Sequence, residues 1–316
     1  MPRSPDTNTL EPSGAYSDIN TLLQLRFAAR DWQLFARKQA ASVLAGNVRT
    51  RFRGRGIDFE EVRIYQPGDD IRTIDWRVTA RTQVPHTKLF REERERPVYL
   101  VVDQRSPMYF GSHRCFKSVL AGFIASALAW AALANSDRVG ALVFGDKQHR
   151  DIRPRRSKHA VLDLIHRLSE YSRLLQSPYP DNEAQDLLHM LEDTRRIAKP
   201  GSALFIVSDF HDWSSACEEQ LFLLARHTDV NLIHCYDPLE RALPQRGYFT
   251  ITDGSERRQV SGGDRQTQQY FSEQFEQQVQ RITQCCQQLA MPLLSFSTDD
   301  DTLSRLRELY GRSKRK

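Results

Sequence analysis

Three apolar runs in the chain each end on an aspartate: PVYLVVD at Asp103, SALFIVSD at Asp209 and VNLIHCYD at Asp237. Carboxylates brought side by side could hold a divalent metal or move a proton in hydrolysis. The same residues could instead accept backbone N–H groups at the start of a following helix or turn. A second acidic cluster lies in YQPGDDIRTIDW, where Asp69, Asp70 and Asp75 stand among Arg63, Arg72, Arg77 and Arg81. Pro67 and Gly68 form a turn signature, since proline presets φ and glycine tolerates positive φ. Opposite charges this close in sequence favour ion pairs within the segment, so its carboxylates are expected to be structural. No Gly-x-x-x-x-Gly-Lys-Ser/Thr loop, Gly-x-Ser-x-Gly elbow or His-Glu-x-x-His helix is present, and His166, His189 and His211 are scattered.

The elements that would position these residues follow from periodicity. Residues 1–17 are expected to be a disordered lead-in without an apolar secretory stretch, and 18–45 a long helix. Residues 49–96 read as short, charged, alternating strands around the Pro-Gly turn, so 18–96 is grouped as an N-terminal helix and small β-rich module. From Pro97 to Lys316, continuous apolar runs alternate with helical patterns, which implies an α/β domain with a doubly wound, mostly parallel sheet. The carboxyl edge of such a sheet, where strand order reverses, is where ligands sit, and it favours Asp103 and Asp209 as site residues. HRDIRP reads as an edge stretch, and GYFTITDGSERRQV as a hairpin outside the rhythm. Residues 118–134 carry no charge over seventeen positions, and their alanine content suits a helix buried between protein layers rather than a membrane span.

The chain has 316 residues, of which 40% are hydrophobic, and its net charge of +5 comes from 45 basic and 40 acidic residues. Such a small excess does not call for nucleic-acid binding. The clusters RFRGR (51–55), RPRRSK (153–158) and RSKRK (312–316) are local and read as solvated surface. The five cysteines include no Cys-x-x-Cys pair, as expected of reduced thiols in a cytoplasmic protein.

The string RGRGIDFEEVRIYQPGDDIRTIDWRVTAR, residues 53–81, resembles the signature of the bacterial domain-of-unknown-function-58 family. Arg63, Pro67, Gly68, Asp69, Asp70, Arg72, Asp75, Trp76 and Arg81 all fall on that pattern, and the likeness extends through VVDQRSPMYFGS, the SDF at 208–210 and DPLERALPQRGYFTITD. The resemblance implies a von Willebrand factor A-like domain over 97–316 and a non-enzymatic adaptor that partners a MoxR-type AAA+ ATPase. A von Willebrand A domain can bind Mg²⁺ through Asp-x-Ser-x-Ser, a threonine from a later loop and an aspartate after the fourth strand. Here the first motif reads Asp103-Gln104-Arg105-Ser106-Pro107, Asp209 takes the fourth-strand place, and the threonine loop offers Asp181 and Asn182.

The implied metal site is therefore degenerate. Arg105 is expected to lie beside Asp103 and Asp209 in place of the cation, with Ser106, Asn182, Ser208 and Asp237 completing an interaction edge. No cofactor is expected on this reading. A weak Mg²⁺ site in a hydrolase using Asp103, Asp209 and Asp181 is one alternative, and a basic nucleic-acid-binding protein is the other.

Overall fold

The computed structural model describes residues 10–35, 58–66, 69, 71–91, 96–174, 186–244, 246–252 and 257–311. The chain divides into a large unit, residues 1–49 with 97–316, and a small unit, residues 50–96.

In chain order the elements are α1 (Ile19–Ala28), β1 (Asp58–Ile64), α2 (Trp76–Thr82), β2 (His86–Arg91), β3 (Pro97–Asp103), α3 (Lys117–Ala134), β4 (Arg138–Phe144), β5 (His149–Arg155), α4 (Lys158–Ser172) and α5 (Leu187–Ile197). They continue with β6 (Ala203–Ser208), α6 (Ser215–Ala225), β7 (Asp229–Tyr236), α7 (Pro238–Arg241), β8 (Tyr248–Thr252), β9 (Arg257–Ser261), α8 (Arg265–Gln288), β10 (Leu293–Ser297) and α9 (Thr302–Tyr310).

The large unit is built on a six-stranded sheet of order β10-β7-β6-β3-β4-β5, parallel except for β5 at one edge. Its central strands are buried on both faces, which accounts for their unbroken apolar runs. Along β3, Val98, Leu100 and Val102 pack into one core with residues of α1, α3 and α4, while Tyr99 and Val101 pack into a second core with α5, α6 and α8. That is the period-two alternation of a strand serving two layers. The antiparallel edge is irregular at Gly140, where any Cβ would meet Ile152 O and Pro154 Cγ at 2.8 Å. The hairpin expected between Gly247 and Val260 is present as β8 and β9.

Helix α3 is long and apolar enough to cross a bilayer, but almost all of it lies against the sheet, α1 and α4. The N-terminal segment departs from two expectations. Residues 10–17 are not a loose lead-in: Glu11 accepts the Thr302 and Leu303 amides at the start of α9, and Gly14 bridges to Cys115. Helix α1 stops at Ala28 instead of continuing, and Trp32 then turns into the core, where its carbonyl accepts Asn135 Nδ2 at 2.7 Å. The expected residues 36–45 of that helix lie outside the described residues. Through Trp130 Nε1, which donates to Leu22 O at 3.0 Å, α1 is tied to α3, so it belongs with the sheet and not with the module.

The small unit pairs β1 with β2 antiparallel, with α2 between them in sequence. Asp75 caps α2 by accepting the Arg77 and Val78 amides at 3.0 and 3.2 Å. Asp69 accepts the Gln66 amide and the Arg63 guanidinium, contacts that hold its carboxyl below the usual range. Arg72, Arg77 and Arg81 are exposed, and Trp76, expected to be structural, is 68% exposed on a helix that buries none of its residues. Pro67, Gly68 and Asp70 lie outside the described residues.

Asp75 thus acts through a local cap. Asp75→Ala is expected to destabilise α2 by about 1 kcal/mol, while Asp75→Asn keeps most of the cap. Hydrogen exchange at the Arg77 and Val78 amides checks this: acceleration in the alanine variant alone is the expected outcome.

Candidate functional site at the carboxyl edge of the sheet

Strand order reverses between β3 and β6, and both strands end on a site residue there. Asp103 closes β3 and is fully buried. Its Oδ1 accepts the backbone amide and Nε of Arg105, both at 3.0 Å, and its Oδ2 accepts an Arg105 terminal nitrogen at 2.8 Å and the Ser208 hydroxyl at 2.6 Å. Arg105 is an internal cation, 3% exposed. It also reaches Asp212, at 2.8 and 3.0 Å by a bidentate contact, whereas the sequence suggested Asp209, with which it makes no hydrogen bond among the described residues. Burial opposes the charge on Arg105, yet Asp103 and Asp212 hold its pKa above the ordinary value.

The counter-ion of Asp209 is Lys117, the first residue of α3. Its ammonium lies 2.7 Å from Asp209 Oδ2 and also reaches Glu240 Oε1. The lysine is 1% exposed and Asp209 4%. Burial pushes the Asp209 carboxyl up, but Lys117 more than offsets that, leaving it below its ordinary value. Lys117 in turn is held above its own ordinary value by Asp209 and Glu240 against the pull of burial. The other Glu240 oxygen accepts the Asp237 amide as half of a capping box on α7.

The remaining edge residues are anchors. The Ser106 amide and hydroxyl both donate to Asp146, at 2.9 and 3.0 Å. Asp237 accepts the Ser112 and Leu239 amides and the Thr298 hydroxyl, tying the end of β7 to two other loops. It therefore fastens loops, and it meets the ion pairs only through Glu240. After Asp209, Phe210 adopts a left-handed backbone with φ of 51°, a conformation costly for a bulky residue. It is held by the Ser208 hydroxyl on its amide, by Gln278 of α8 on its carbonyl and by an edge-on ring contact with Trp213. Asp181 and Asn182 lie outside the described residues.

These donors do not fit a divalent metal. Both oxygens of Asp103 are engaged by a guanidinium and a hydroxyl, Asp209 holds an ammonium, and Pro107 supplies no oxygen donor from its side chain. A Mg²⁺ ion needs oxygen ligands at about 2.1 Å around an open centre. Two protein cations occupy that role instead, and no grouping of three metal-ligating side chains occurs among the described residues. Of the hydrolase alternative's three carboxylates, Asp103 and Asp209 are engaged in this way, and Asp181 lies outside the described residues.

Sequence reasoning missed Lys117, Asp212, Glu240, Asp146 and His234. For Lys117 a signal existed: a cation at the head of an otherwise uncharged helix opposes the helix dipole, so it calls for a buried carboxylate partner. Asp212 and Glu240 carried no comparable mark, being loop and helix carboxylates among many.

Removing Lys117 leaves Asp209 uncompensated, so Lys117→Met is expected to destabilise the fold by about 3–5 kcal/mol, and adding Asp209→Asn should restore much of that. The pH dependence follows from the shifts. Asp209, with a depressed value, contributes stability above about pH 4 that is lost as pH falls through its folded value. Lys117, with a raised value, contributes below about pH 10.5 and loses it as pH rises through its folded value. Burial pushes His234 down to about 4, so the unfolded chain takes up that proton first as pH falls below about 6.5, and stability declines there too. Five buried cysteines, all with raised values, ionise first in the unfolded chain, so thermal unfolding should show stability falling above about pH 8.5 in every variant, and the Lys117→Met/Asp209→Asn double variant should lack only the further fall that Lys117 adds above about pH 10.5.

The comparisons place the chain in a family. An uncharacterized protein of Mycobacterium tuberculosis, Rv1480, is 29% identical over 242 residues, covering 77% of this chain and 74% of its own. Uncharacterized protein Mb1516 of Mycobacterium bovis matches to the same extent. Among solved structures, the conserved hypothetical protein BatB from Bacteroides thetaiotaomicron aligns with a TM-score of 0.40 and 10% identity, over 67% of this chain and 96% of that one. Residues 61–282 match the family described as "Protein of unknown function DUF58", and the chain belongs to that family.

Proposed function

We propose that the large unit is a von Willebrand factor A-like scaffold that acts without catalysis of its own, docking a MoxR-type AAA+ ATPase in the cytoplasm for assembly or remodelling of a protein complex. The observation that carries this reading is the carboxyl edge at the switch point. Its loops are fixed by buried ion pairs and loop-to-loop hydrogen bonds, and its carboxylates are already engaged by the protein's own cations. A rigid edge of this kind binds with little ordering cost, which suits docking. Asp103 and Asp209 have no free oxygen pair with which to build a catalytic metal centre.

The strand order and the single antiparallel edge strand support the von Willebrand A reading. The chain also lacks a nucleotide-binding loop, so an energy-driven role would draw on another protein's hydrolysis. Of the basic clusters behind the nucleic-acid alternative, RFRGR and RSKRK lie outside the described residues, and RPRRSK runs along the exposed edge strand β5 into α4.

The test uses two exposed positions at opposite ends of the sheet. His211, in the loop after Asp209, is replaced by tryptophan to block the carboxyl edge; Arg155, whose strand partner Val139 lies at the start of β4, is replaced by glutamate. Binding to the MoxR-type ATPase encoded in the same genome is expected to weaken roughly tenfold or more in His211→Trp and to persist in Arg155→Glu. Titration by anisotropy, with the ATPase rate as a second readout, checks this. The opposite pattern would move the interface to the other edge, and no complex with the wild type would remove the ATPase from the account.

A further inference from the structure

Helix α8 buries only Ile282, Cys285 and Cys286, all in its second half. Its middle, from Phe271 to Arg281, lines a cleft of about 390 Å³ at the carboxyl edge, a volume suited to a side chain or small ligand. Trp213, Phe271 and Phe275 supply aromatic walls, and Asp209, Glu240 and His234 line it from the sheet side. His234 is 3% exposed and stacks on Tyr236 at 5.6 Å, yet its ring nitrogens have no hydrogen-bond partner among the described residues. Its nitrogens are not among the fully buried unpartnered atoms, and the cleft is the space that the residue lines.

We propose that this cleft receives the cationic side chain of an arginine or lysine from a basic segment of a partner protein. The inference rests on the docking role proposed above for this edge and specifies its chemistry. Lys117 is shared between Asp209 and Glu240, so these two carboxylates together carry one negative charge more than the ammonium between them. Burial holds Glu240 above its ordinary value despite Lys117, so a further cation nearby is favourable to its charged form. Uncharged His234 has a nitrogen lone pair to accept an N–H, and aromatic faces attract a guanidinium or ammonium. Arg281, on the exposed part of α8, repels a second cation but can donate to a main-chain carbonyl of the incoming segment. The polarity is opposite to that of a metal-centred edge, which would draw a partner carboxylate.

The test titrates the full chain with fluorescein-labelled glycine peptides carrying one central arginine, lysine, citrulline or glutamate. Arginine and lysine peptides are expected to bind, with citrulline and glutamate at least about tenfold weaker and with affinity falling as salt rises. Phe275→Leu and Glu240→Gln, each checked for an unchanged fold by circular dichroism, should each cost the arginine peptide roughly tenfold. Citrulline binding as well as arginine, no binding of either cationic peptide, or variants that keep wild-type affinity overturns the proposal. The same variants are then titrated with the ATPase. A normal ATPase complex that the arginine peptide does not displace defeats this inference and leaves the docking reading standing. Specific arginine binding without an ATPase complex supports the inference and removes only the choice of partner.

Discussion

Two positive side chains sealed among four carboxylates at the switch point are the constraint on which the rest of the edge depends. Arg105 joins Asp103 to Asp212, and Lys117 joins Asp209 to Glu240. Arg105, Lys117, Asp103 and Asp209 are almost wholly buried, and charges so far from water are tolerable only when paired and hydrogen-bonded, while Asp212 and Glu240 stay about a third exposed. The pairs therefore dictate where the loops after β3 and β6 run, where α3 begins and how α7 is capped. They also exclude the metal ion that Asp103 and Asp209 might otherwise hold, because the oxygen lone pairs are spent on protein cations.

Around these pairs, each loop is fastened to another element. Gln104 donates from its backbone to Phe144 O and from its side chain to Ser118 O, so the turn after β3 is locked to both β4 and α3. Asp146 grips Ser106 from the next strand's loop, and Asp237 gathers Ser112 and Thr298. The left-handed Phe210 persists because Ser208, Gln278 and Trp213 over-determine it. The outcome is a set of loops whose shape is fixed by the protein's own contacts.

Much of this was legible in the amino-acid sequence wherever the cause is local or periodic. Unbroken apolar runs such as ALFIVS announce a strand covered on both faces, and their terminal aspartates mark the carboxyl edge. Arg105 inside the DQRSP segment could be read as an internal cation, because an arginine there displaces a hydroxyl ligand. Its second partner could not, since Asp212 lies 107 residues away and is placed by the fold. Glu11 capping α9 from 291 residues away is likewise invisible to periodicity, which explains why residues 10–17 looked like a loose lead-in. The IDW aspartate shows a second cause beside charge: a helix that begins at the next residue makes Asp75 its cap, whatever its neighbouring arginines contribute.

On the reading proposed above, Arg105 and Lys117 stand where a metal between Asp103 and Asp209 would otherwise bind. The decisive measurement is diffraction from a crystal of the protein grown or soaked with Mn²⁺, recorded at an energy where manganese scatters anomalously. No anomalous peak is expected within ligand distance of Asp103 and Asp209, with the Lys117 ammonium on Asp209 and the Arg105 guanidinium on Asp103. A peak bridging those two carboxylates, with Lys117 or Arg105 displaced, would contradict that reading.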